Sequence, residues 1–189
     1  MINKILAAAA LCLACLPAAS GAGTPYTESG YFTVVFPEGW VLGARDQGVT
    51  QDEKKVYGRE VFGPSSAGIY AKIAVHYYAP GNELHKTPEK FIKLQSQPAL
   101  GVNLDGQVYG KVKDGKAGNY YAKVFDRKVF EYEPKDALHP KKISIYEKFA
   151  VVPVKNGFFV LRYYAPMDIA KDSLKAYEDV LASFKPLLR

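Results

Sequence analysis

The chain has 189 residues, 48% of them hydrophobic, with 25 basic and 19 acidic side chains and a net charge of +6. That length suits one ordinary domain, and a count of two cysteines excludes a disulfide-stapled scaffold. The positive excess favours anionic surfaces without singling out nucleic acid.

Lys4 precedes an apolar run from Ile5 to Leu16 and then the small-residue tract Pro17-Ala18-Ala19-Ser20-Gly21-Ala22. This order predicts a secretory signal over residues 1–22, cut after Ala22 within one to three residues. The run is too short to cross a bilayer, which needs about 20 residues. Export would place the protein outside the cytoplasm, in a periplasmic or similar compartment, and would rule out nucleic acid as a partner. Cleavage would also remove Cys12 and Cys15, leaving residues 23–189 as a single domain without thiol chemistry. Cys15 follows Cys12-Leu13-Ala14, which lacks the aliphatic residue a lipidation site carries three positions upstream, so no lipid anchor is expected.

The first expected strand is Tyr31 to Phe36, closed by Pro37 and Gly39. Residues 43–54 are polar. Lys55 to Phe62 and Ile69 to Tyr78 then read as a hairpin around Gly63-Pro64-Ser65-Ser66-Ala67-Gly68, with Ile69, Ala71, Ile73, Val75 and Tyr77 on one face of the second arm. Thr87-Pro88-Glu89 is a helix start carrying Phe91, Ile92 and Leu94. Asp114-Gly115 and Asn156-Gly157 are hairpin turn signals. They imply an antiparallel sheet with strands near 108–112, 119–132, 143–154 and 158–164. An amphipathic helix near 169–184 closes the chain, with Leu174, Tyr177, Leu181 and Phe184 facing the sheet.

Five segments, in their order and spacing, resemble the PsbP-like family, named for an extrinsic oxygen-evolving subunit of photosystem II. They are Phe32-Thr33-Val34-Val35-Phe36-Pro37-Glu38-Gly39-Trp40, Thr87-Pro88-Glu89-Lys90-Phe91, Asp114-Gly115-Lys116 followed by Tyr120-Tyr121, Val154-Lys155-Asn156-Gly157, and Leu181-Ala182-Ser183-Phe184-Lys185. The resemblance covers roughly residues 30 to 186. It implies an α/β fold, an α/β/α sandwich on a central antiparallel sheet. Relatives share binding rather than catalysis, so it also implies a non-enzymatic accessory or binding protein with an envelope- or membrane-associated protein partner. A carrier of a small ligand or of a divalent cation such as calcium is the alternative, and no other cofactor is implied. The long N-terminal arm that docks the photosystem subunit has no counterpart here.

Among chemistry-bearing residues, His76, Glu83 and His85 lie close enough in sequence to converge on a cation. Ser65 and Ser66 fail the spacing of a nucleophile elbow. There is no HExxH helix and no Gly-rich phosphate loop between strand and helix. Nine basic residues against five acidic ones between Lys111 and Lys142 suggest a partner-binding surface at Lys111, Lys113, Lys116, Arg127 and Lys128. Three adjacent tyrosine pairs, Tyr77-Tyr78, Tyr120-Tyr121 and Tyr163-Tyr164, each aim one ring at either face of a strand. Their outward rings would line a groove or cover the sheet.

Overall fold

The computed structural model describes residues 23–44, 50–99 and 101–188, so the expected signal segment and both cysteines lie outside the described residues. Strand β1 (Thr24–Glu28) pairs with β2 (Phe32–Phe36) through a turn at Gly30, whose φ of 81° suits glycine. The first expected strand begins at Tyr31, and residues 23–30 are assigned no element from sequence. They form a strand because Tyr26 packs its ring on Phe32 and Phe36 while the backbone pairs with β2.

The next elements are β3 (Val41–Leu42), the single turn α1 (Gln51–Lys54), β4 (Val56–Ser66) and β5 (Ile69–Tyr78). Helix α1 begins in a capping box in which Thr50 and Glu53 satisfy each other's backbone N–H groups. Helix α2 (Pro88–Gln95) starts as expected, with Thr87 Oγ1 accepting from the Lys90 N–H at 3.2 Å and Pro88 opening the first turn. Then come β6 (Val108–Tyr109), β7 (Lys113–Ala117), β8 (Tyr120–Glu133), β9 (Lys141–Pro153), β10 (Phe158–Pro166), α3 (Met167–Ser183) and β11 (Lys185–Pro186).

All the strand pairings are antiparallel. A small sheet runs β1-β2-β11 and a large one runs β3-β4-β5-β10-β9-β8-β6, with β7 also on β8. The central strands β5 and β10 put Ile73, Val75 and Tyr77 beside Tyr163, Leu161 and Phe159 on one face. Helix α3 covers that face with Tyr177, Val180 and the following Phe184. Two polar anchors fix it, since Tyr177 donates to the Leu161 carbonyl at 3.0 Å and Tyr163 to the Ala170 carbonyl at 2.8 Å. Tyr78, Phe158 and Phe149 point to the opposite face, where Phe91 of α2 packs on them. The result is an α/β fold with a helix on each face of an antiparallel sheet. Both rings of Tyr77-Tyr78 and of Tyr163-Tyr164 are therefore buried, and of the three pairs only Tyr120-Tyr121 stays exposed.

Two turn assignments change. Strand β7 runs straight through Asp114-Gly115, and the chain reverses at Gly118, where φ is 55°. Gly115 is needed instead for close approach, because a Cβ there would lie 2.8 Å from Val124 Cγ1 on β8. Likewise Ser65 and Ser66 belong to β4, which continues past an irregularity between Phe62 and Ser65 and turns at Ala67 and Gly68, both with positive φ. The strand expected over 108–112 shortens to β6, and the Gly110 N–H bonds to the Asp126 carbonyl at 2.9 Å just beyond it.

Candidate functional site

The histidines expected to share a cation do not converge. His76 on β5 and His85 in the loop after it both pack against the Tyr78 ring, at centroid distances of 6.5 and 5.3 Å, and Glu83 is exposed. No group of three His, Cys, Asp or Glu side chains among the described residues could hold a metal ion. The physical reason is the alternation of β5, which puts Tyr78 next to His76 on one face and makes an aromatic cluster there instead of a polar one. Burial, and then the Arg162 charge, holds the His76 imidazole down to about 4, so at neutral pH it is an uncharged filler.

The basic residues divide. Lys111, Lys113 and Lys116 are exposed on the β6–β7 flank, and Lys128 is half-buried opposite Val108 on β6. Lys111 and Lys113 join Lys148 around a shallow cleft of about 310 Å³ floored by Val124 and Phe125. Arg127 does not belong to this surface. Its Nε donates to Oε2 of Glu147 and its guanidinium lies over Phe149, so it is an interior ion-pair member rather than a docking residue. Apolar side chains accompany the lysines, with Val108 59% and Val112 40% exposed.

A larger cleft lies at the other end of the large sheet. Strand β3 pairs with Val61 and Phe62 of β4, and among the described residues no strand pairs with 56–60 on that side. The exposed carbonyls of that edge are satisfied locally, Gly58 by the Gln51 side chain at 2.7 Å and Glu60 by the Gly43 N–H at 2.8 Å. Around this edge lies a cavity of about 740 Å³. Tyr31 and Tyr57 line it, stacked at 4.2 Å between ring centroids, with Tyr31 also stacked on Tyr77 at 5.1 Å. The hydrogen bond with Tyr31, followed by burial and the Asp52 charge, holds the Tyr57 hydroxyl proton above its ordinary range.

Arg59 lines the same cavity, and its Nε and Nη1 atoms are buried without a hydrogen-bond partner. Sequence reading passes over this residue. Its signal is parity, since Arg59 falls two places from both Tyr57 and Val61 and therefore on the face that packs toward α3 and the small sheet. A cation in an apolar register is the mark of a functional or costly position.

No family model and no curated protein matches the chain. Solved structures do resemble it, two of them as follows. A protein of Bacteroides thetaiotaomicron VPI-5482 matches with a TM-score of 0.51 and 12% identity, covering 88% of this chain and 49% of that one. LpqN of Mycobacterium tuberculosis, described as involved in cell envelope biogenesis, matches with a TM-score of 0.47 and 15% identity, covering 89% and 87%. The chain thus spans about half the length of the Bacteroides protein, and that likeness concerns the fold.

Proposed function

We propose that this chain is a non-enzymatic accessory protein of PsbP-like type that works outside the cytoplasm and docks on an acidic, envelope-associated protein through its β6–β7 flank. The observation that carries the reading is the flank itself, where Lys111, Lys113 and Lys116 stand beside exposed Val108 and Val112 and form no ion pair among the described residues. Lysines on a sheet border also discourage edge-to-edge pairing, but border protection alone does not call for apolar side chains between them. Apolar contacts ringed by charge supply both affinity and steering toward an acidic surface.

Photo-crosslinking from position 112 in intact cells tests this. A discrete adduct with an envelope protein is expected, and the triple change Lys111→Glu, Lys113→Glu and Lys116→Glu should reduce it at least tenfold, since like charges then face each other. The reading is rejected by the lack of a discrete adduct, or by one that the triple change leaves intact.

A further inference from the structure

The cleft beside residues 56–60 of β4 is independent of the basic flank. A guanidinium carries five N–H donors and stays charged at any physiological pH. Enclosing two of its nitrogens without an acceptor is more costly than enclosing a neutral group. Arg59 is in that condition at Nε and Nη1, beside the cavity of about 740 Å³. By contrast Arg127, half-buried, and Arg162, exposed, share the Glu147 carboxylate. At Arg59 the Nε and Nη1 atoms lack such an acceptor and lie beside a cavity.

We propose that this cavity binds a small organic molecule carrying one carboxylate, with Arg59 as its anchor. A carboxylate brings only acceptors, which is what the enclosed nitrogens lack, and the resulting bonds are charge-assisted. The walls select within the anions. Glu28, Asp52 and Glu60 line the same cavity, Glu28 buried, so a doubly charged phosphate ester meets like-charge repulsion that a single carboxylate meets to a smaller extent. Tyr31 and Tyr57 supply ring surface for an apolar or aromatic body, and Gln51 and Thr50 supply polar edges. The volume lies in the range of small-molecule sites.

The test uses the purified protein and benzoate, with chloride at matched ionic strength as the control and inorganic phosphate as the competing anion. Benzoate should raise the melting temperature saturably, as a ligand of the folded state must, and should move the Arg59 Nε–H resonance along the same isotherm. Phosphate should bind about tenfold more weakly or worse. Arg59→Met should weaken benzoate about tenfold or more while the empty protein melts no lower than the parent, because the enclosed unpaired charge is gone.

If the nitrogens are satisfied by water alone, benzoate gives no saturable response, and the proposal fails. It fails equally if chloride matches benzoate, if phosphate binds as well, or if Arg59→Met still binds. Should substitution of Arg59 prevent folding, Glu60→Gln decides instead: benzoate binding should tighten about threefold or more, and unchanged affinity overturns the proposal.

Discussion

Arg162 on β10 grips Glu147 on the neighbouring strand with two nitrogens, Nε at 2.8 Å and Nη2, both donating to Oε1. The carboxylate is 1% exposed, and its second oxygen accepts from Arg127 on β8. One acid therefore ties three adjacent strands on the face that α2 partly covers. Removing it leaves one inward guanidinium and one half-exposed guanidinium without a counter-ion. Breaking a buried pair from one side costs about 3–5 kcal/mol. Arg162 can turn to water, so Glu147→Ala should fall near the lower end, about 3 kcal/mol, in urea unfolding. A loss under about 1 kcal/mol would show that packing, not the ion cluster, holds these strands.

His76 makes stability depend on pH. Its folded-state pKa of about 4 lies below the ordinary value of 6.5, so the unfolded chain takes up the proton first. The stability from keeping it neutral is fully present above pH 6.5 and is lost as pH falls toward 4. The loss is on the order of 2 kcal/mol for a half-buried ring. Burial lowers His85 in the same direction. His76→Phe should flatten the stability profile over that window more than His85→Gln does, as measured by denaturant unfolding at a series of pH values. Equal profiles for His76→Phe and the parent would refute the assignment.

Helix α2 hangs on one side chain. Phe91 is its one buried residue, set among Tyr78, Phe149 and Phe158. Phe91→Ala should cost about 3–4 kcal/mol. Because α3 packs on the other face, amide exchange should accelerate in α2 while α3 remains protected. Uniform acceleration in both helices would mean that the two faces open together.

Glycines at turns separate backbone strain from crowding. At Gly30, φ is 81° and a Cβ would meet nothing within 4 Å, so Gly30→Ala should cost about 1 kcal/mol of conformational strain alone. At Gly118 the φ is 55° and a Cβ would lie 2.3 Å from the Phe184 carbonyl oxygen. Gly118→Ala should therefore cost clearly more, about 2–3 kcal/mol, because the β7–β8 turn must also move off the end of α3. Thermal unfolding of the two variants side by side checks the ordering, and similar losses would contradict it.

The limits of sequence reading follow from range. Helix α2 is legible because its start is written in three adjacent residues, Thr87-Pro88-Glu89, and each acts on its own backbone. Strands β8, β9 and β10 are legible from long β-branched and aromatic runs. Asp114-Gly115 misleads because the same dipeptide serves a tight turn and a close strand crossing, and only the neighbour Val124 decides which. The proposed cation site misleads in the same way, since nearness in sequence of His76, Glu83 and His85 says nothing about the Tyr78 ring that both histidines pack against.

By itself the sequence determines what local chemistry controls: an antiparallel strand series, two helices and a basic stretch from 111 to 142. Tertiary structure alone decides which charges are free. It turns Arg127 inward to Glu147, leaves Lys111, Lys113 and Lys116 on the flank, and encloses Nε and Nη1 of Arg59 beside a cavity without an acceptor. The reason is that a charge becomes a site through its partners and its burial, and both are set by strands far apart in the chain.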